Sequence, residues 1–365
     1  MLGASPAVMV ACGGRHTLVL TADGRVWDCG DGGFGRLGHG DSSDLLVMTN
    51  VRMERFEGAL IVMVAAGALH SVAVGAEGIV WSWGCGFNGR LGHSNEEHRF
   101  VPTQLLALEC VTMVAAGIAH TVAVTDCGEL LSWGRGIYGQ LGLGDADGRL
   151  SPTKVKAFEG SQVRMAACGD YRSLFVTEEG DLWTCGLGAH GTLGLNNRKN
   201  MLVPARVDAQ HFEHAKIVSV AAGVTQSVAV TESGDLYTWG STAATEYGAP
   251  VGGQILGHND GEDKLVPTRI ALHLLQGARV GRCFRLPSLR ALAFAMGTHA
   301  RLGSAARAQA VTGATNNEND CAYVTMPGEL VKQLVEACES WPEGQASEME
   351  GVIRLLGGRR MRSER

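Results

Sequence analysis

Proline is scarce in this sequence, at 9 of 365 residues, and aromatic side chains make up only 6% of it. With so little proline, the 51 glycines do not signal a Pro/Gly low-complexity chain; at about twice the usual share they signal many tight turns. No two of the 10 cysteines form a CxxC, and none stands with histidine at zinc-ligand spacing. No metal site is expected, and the thiols read as reduced and mostly structural. Net charge is only −6, so bulk electrostatics give no general pull toward nucleic acid or anionic membranes. GxSxG, Walker A and HExxH signatures are all missing, so no catalytic residue and no cofactor is assigned. The first 14 residues lack a basic start and an apolar core, and are not expected to be a secretory leader.

One uncharged stretch, residues 58–76, reaches transmembrane length. It contains His70 and several Gly and Ala, and its pattern recurs at 111–125 and 217–231. Repeated β-hairpin cores explain this better than a membrane span. The composition, 45% apolar and 19% charged, suits a packed core.

Internal repetition dominates what is present. Five segments align: VACGGRHTLVL, VAAGALHSVAV, VAAGIAHTVAV, MAACGDYRSLFV and VAAGVTQSVAV, sharing Gly13, Gly67, Gly117, Gly169 and Gly223. Each is followed by a block such as GIVWSWG, closing on Gly30, Gly84, Gly134, Gly186 and Gly240. A GxLG block comes next, then a proline in four copies, Pro102, Pro152, Pro204 and Pro267, where the first copy has Met48. The apolar runs are too short for helices and rich in β-branched or small residues. Dipeptides such as Asp23-Gly24 and Glu77-Gly78 lie between two such runs and read as hairpin turns with a positive-φ residue. Proline suits an outer strand, where a missing N–H costs little. Each unit of about 50 residues therefore supplies four strands, one blade of a propeller. The VAAG runs, being small, are expected to be the inner strands. Trp27, Trp81, Trp133, Trp183 and Trp239 are expected to be buried between blades.

The ordered series ACGxxHT, DGxVWxxG, GxLGxGD and VPT resembles the regulator of chromosome condensation (RCC-type) repeat family of seven-bladed propellers. The resemblance covers about residues 8 to 270. The expected fold is all-β: a β-propeller of four-stranded blades, five clear and a degenerate sixth, six or seven in all. The sixth unit starts near Arg279, and RALAFAMGTHARLG from Arg290 reads as its shortened remainder. The propeller is assigned to residues 1–303, a linker or closing segment to 304–325, and a short α-helical tail to 326–365. Leu330, Leu334, Val335 and Cys338 stand at helical spacing in that tail, with Pro327 near the first turn.

Histidines 16, 70 and 120 share one repeat position with Arg172 and Gln226. A place filled by His, Arg or Gln reads as hydrogen bonding to backbone, not as metal ligation or proton transfer. Function is sought where the repeat breaks. The fifth copy carries nine extra residues within 241–255, with Glu246 and Tyr247 as candidate contact residues. Residues 264–317 hold eight Lys and Arg and no acid, among them Arg282, Arg285 and Arg290, candidates for an acidic partner surface. The arginines at the end read as a nuclear-import tail or a solvated terminus.

The favoured reading is a non-catalytic scaffold that binds a protein partner through propeller-face loops, in cytoplasm or nucleus. The resemblance implies an alternative, guanine-nucleotide exchange on a Ran-like small GTPase. It also brings in ultraviolet sensing, which in the related plant photoreceptor depends on a GWRHT motif. The matching strings here carry Gly14, Ala68, Ile118, Asp170 and Val224 at the second place, so that activity is not expected.

Overall fold

Each repeat folds into one antiparallel sheet in a computed structural model, which describes residues 5–241, 256–258, 260–270 and 324–327. Blade 1 comprises β1 (Ala7–Cys12), β2 (His16–Thr21), β3 (Val26–Gly30) and β4 (Leu45–Asn50). Blade 2 comprises β5 (Ile61–Ala66), β6 (His70–Gly75), β7 (Val80–Gly84) and β8 (Arg99–Gln104). Blade 3 holds β9 (Val111–Ala116), β10 (His120–Thr125), β11 (Leu130–Gly134) and β12 (Arg149–Lys154). Blade 4 holds β13 (Val163–Cys168), β14 (Arg172–Thr177), β15 (Leu182–Gly186) and β16 (Met201–Arg206). Blade 5 holds β17 (Ile217–Ala222), β18 (Gln226–Thr231), β19 (Leu236–Gly240) and β20 (Lys264–Arg269). No α-helix occurs among the described residues. The stretch 58–76 is the β5–β6 hairpin, as its recurrence implied.

The second and third strands of each blade are joined through Gly24, Gly78, Gly128, Gly180 and Gly234, all with φ between +76° and +89°. In blade 1 the Thr21 amide bonds the Arg25 carbonyl across this turn at 3.0 Å. A left-handed residue at its last position is what a three-residue hairpin loop requires.

The first strands of successive blades lie against one another: β1 on β5, β5 on β9, β9 on β13 and β13 on β17. In blades 2 to 5 the first-strand runs are thus innermost, as their small side chains implied. A further strand, β21 (Val324–Pro327), pairs antiparallel with β1 and sets Val324 opposite Cys12. Pro327, expected near the first turn of a tail helix, ends this strand. The sixth unit and the rest of the tail lie outside the described residues.

Apolar packing is concentrated between blades. Phe56, on the link from blade 1 to blade 2, meets Trp81 and Trp83 edge to face at 5.8 Å each. Phe158 meets Trp183 at 5.5 Å, and Phe212 meets Tyr237 at 5.1 Å, on the corresponding later links. Trp81, Trp83, Trp133 and Trp239 are fully buried. Trp27 and Trp183 are mostly buried too, with more residual exposure than the other four.

Candidate interaction face and the junctions that hold it

The repeated histidines lock neighbouring blades together. His16 Nε2 lies 2.8 Å from Ser71 Oγ of the next blade, and Ser71 donates its hydroxyl to the Arg36 carbonyl at 2.8 Å. His70 reaches Thr121 at 2.9 Å, and Thr121 donates to the Arg90 carbonyl. His120 reaches Ser173 at 3.0 Å, and Ser173 donates to the Gln140 carbonyl. Each hydroxyl proton is committed to a carbonyl, so each imidazole must donate from Nε2. The Nδ1 atoms are buried without a hydrogen-bond partner. At the fourth junction Arg172 replaces histidine: its Nε bonds Ser227 Oγ at 3.0 Å, and Ser227 donates to the Thr192 carbonyl. The sequence implied a bond to backbone. Arg172 does donate directly to the carbonyls of Val224 and Gly223, at 2.8 and 3.0 Å, and the Thr225 amide donates to Gln226 Oε1 at 3.2 Å; the three histidines reach backbone through a side-chain hydroxyl on the neighbouring blade.

The shared glycine follows from the same geometry. A Cβ on Gly67 would stand 2.2 Å from His70 Cε1, and one on Gly117 would stand 2.2 Å from His120 Cε1. The imidazole fills the space a side chain would need.

Burial pushes the His16 and His120 imidazoles down to about 3 and holds His70 well below its ordinary value. The guanidinium of Arg36 or Arg90 adds to this in each case. Neutral rings sealed from water hold strands; they do not transfer protons near pH 7.

Indole and thiol donors converge on the same carbonyls. Trp133 Nε1 bonds the Arg90 carbonyl at 2.9 Å, and Trp239 Nε1 bonds that of Thr192 at 3.0 Å. In blade 4 the equivalent Cys185 points its sulfur at the Gln140 carbonyl, 3.5 Å away. Burial raises the Cys168 thiol to about 12 and lifts Cys185 as well, so both are inert buried groups.

The turns from the third strand toward GxLG all emerge on one face. The amides of Asp31, Cys85, Arg135, Leu187 and Ser241 bond the carbonyls of Arg15, Leu69, Ala119, Tyr171 and Thr225, each at 2.8 or 2.9 Å. This stitches each turn beside the first hairpin loop of its own blade. The turns carry aromatic and apolar side chains that the fold does not consume. Phe34 and Phe87, on neighbouring blades, are 6.1 Å apart, and His98 packs edge-on against them at 5.1 and 4.7 Å. Tyr138 meets Tyr171 at 5.2 Å, and Arg135 lies 5.9 Å over the Tyr171 ring. Phe87 is 50% exposed and Ile137 44%. An array of partly exposed rings on a rigid frame is the composition of a protein-binding patch.

Ser241, the last described residue of the fifth-blade turn, is held in this stitching by Thr225. Glu246, Tyr247, Arg282, Arg285 and Arg290 lie outside the described residues. The sequence reading missed the aromatic face. Its signal was the variable pair inside each GxxG turn, Gly33-Phe34, Phe87-Asn88, Ile137-Tyr138 and Ala189-His190.

Stacked four-stranded antiparallel blades with small inner strands and repeated junctions define a β-propeller repeat protein. Residues 2–215 match the RCC1-like domain, and the chain belongs to that family. It is 41% identical over 264 residues to the Ultraviolet-B receptor UVR8 of Arabidopsis thaliana, an alignment covering 72% of this chain and 46% of that protein. It is 30% identical over 244 residues to the Secretion-regulating guanine nucleotide exchange factor of Bos taurus, covering 66% of this chain and 42% of that one. The chain thus spans under half the length of these two relatives. The crystal structure of human WBSCR16 superposes with a TM-score of 0.61 at 27% identity, covering 70% of this chain and 65% of that one. No helix among the described residues is long and apolar enough to cross a membrane.

Proposed function

We propose that this chain is a non-catalytic interaction module, acting in cytoplasm or nucleus, that binds a protein partner through its aromatic face. One observation carries the reading: the turns stitched beside the first hairpin loops present two aromatic pairs, Phe34 with Phe87 and Tyr138 with Tyr171, and leave Phe87 and Ile137 exposed. The junction histidines and hydroxyls are consumed in holding blades together, so they do not compete with this reading. Glu246 and Tyr247 on the insertion, and Arg282, Arg285 and Arg290 beyond it, are the further contact candidates. Affinity capture from cell extract tests it. The intact chain should retain a partner that is lost on Phe87→Ala, on Ile137→Asp, or on deletion of residues 243–251, while circular dichroism stays unchanged. Equal capture by all four proteins would refute the reading.

Guanine-nucleotide exchange on a Ran-like small GTPase is the second reading. Its specific support is the 30% identity to a guanine nucleotide exchange factor. Release of a fluorescent guanine nucleotide from a panel of small GTPases separates the two readings. Acceleration by many orders of magnitude supports exchange; none across the panel leaves the interaction module.

A further inference from the structure

The outer strands of the five blades differ in a way that the repeat does not require. Strands β8, β12, β16 and β20 each contain a proline, and each carries at least one Arg or Lys. Proline and charge are how natural sheets keep an edge from pairing with another chain. Strand β4, with sequence LLVMTN, has neither. It is the terminal strand of its sheet, so its outer edge has no strand partner.

The preceding blade also matters. Gly40, Ser94, Gly144 and Asn196 donate their amides to the carbonyls of Phe100, Leu150, Leu202 and Leu265, each on the outer strand of the next blade. Leu46 holds that place in β4, and no described residue donates to it. Its side chain is 97% exposed, and that of Val47 is 71% exposed. An uncharged, proline-free edge with two such residues is a template for strand addition.

The charges flanking β4 select the occupant. Asp44 stands just before the strand and Arg52 just after it, each four residues from Met48. An antiparallel pairing of β4 with itself, centred on Met48, sets Asp44 opposite Arg52 of the partner subunit at both ends. Asp44 gives one oxygen to the Gly32 amide at 2.9 Å and keeps the other. The strand between carries no charge to repel its own copy.

We propose that β4 is a self-pairing edge, through which two copies of this chain associate as an antiparallel, two-fold symmetric dimer. Sedimentation velocity of the full chain across the micromolar range tests this. Wild type should show a concentration-dependent dimer. Leu46→Lys should weaken it at least tenfold by placing a charge on the paired edge. Met48→Pro should do the same by removing an amide, and four blades show that the fold accepts proline there. Arg52→Glu should weaken it about fivefold by facing Asp44 with a second acid. Far-ultraviolet circular dichroism of each monomer should match wild type. A wild-type monomer at every concentration, whether β4 stays open or another segment of the chain covers it, overturns the proposal. So does a dimer insensitive to Leu46→Lys and Met48→Pro, or one unaffected by Arg52→Glu.

Discussion

Blades 1 and 4 carry the same local pattern in different surroundings. In blade 4, Cys168, Ser173 and Cys185 stand in register across three strands. In blade 1, Cys12, Thr17 and Cys29 occupy those places. Cys168 and Cys185 are buried, whereas Cys12 and Cys29 are half-buried. The strands are alike; the cover is not. Ser173 receives His120 from the blade before it, and no described blade precedes blade 1. For these cysteines burial follows the junction and not the sequence of the strands that carry them.

The largest test of that contrast is in the tryptophans. Trp133→Ala should cost roughly 3–5 kcal/mol in urea unfolding, since it removes a fully buried indole at a junction. Trp27→Ala, in the blade that no described blade precedes, should cost less than half of that. Equal losses would mean that blade 1 is covered as completely as blade 3.

Next come the junction bonds. Thr121→Val keeps the shape but strands the His70 donor in a buried site, at a cost of about 1–3 kcal/mol. Thr17→Val, the same change in blade 1, should fall within about 0.5 kcal/mol of wild type.

Titration sharpens the comparison further. His120 is neutral in the fold down to about 3, while an unfolded histidine takes a proton near 6.5. The unfolded chain therefore binds more protons between these values, and stability present above 6.5 drains away as pH falls toward 3. His120→Gln, the residue type of Gln226, should flatten that slope. Asp28 acts in the opposite sense. It replaces the hydroxyl that Ser82, Ser132, Thr184 and Thr238 donate to the leucine carbonyl of GxLG. One of its oxygens meets His39 Nε2 at 2.8 Å, and the other is buried without a partner. Burial raises its carboxyl to about 6. Its contribution is full below 3.8 and is lost as pH rises through about 6. Asp28→Ser should remove that loss and raise stability at pH 7, read from urea midpoints at a series of pH values.

The smallest effect is chemical. Under native conditions iodoacetamide should modify the exposed Cys110 and Cys127 first, then Cys12 and Cys29, with Cys168 and Cys185 reacting only on unfolding. Mass spectrometry of timed samples gives the order. Early loss of Cys185 would break the comparison.

Much of the fold was legible because the repeat fixes local structure. The hairpin glycines, the short apolar runs and the small inner strands are each dictated within one unit. The junctions were only half legible. His, Arg and Gln at one place announced hydrogen bonding, but the acceptor lies a whole blade away, where sequence spacing gives no distance. Cys29 misled for the same reason: nothing in GRVWDCG says whether another blade covers it. The aromatic face was missed because its residues fill the variable pair of each GxxG turn, where Phe34, Asn88 and His190 share a left-handed backbone but no side-chain type.

The latch from His16, His70, His120 or Arg172 to the next hydroxyl also makes blades interchangeable parts. Every unit from blade 2 to blade 4 receives a donor on one side and offers one on the other. A second copy of blade 3 spliced after the first would find His120 already facing the equivalent of Thr121. The arc can thus lengthen or shorten by whole units without redesigning a contact, which makes gene duplication a ready route to new propeller sizes.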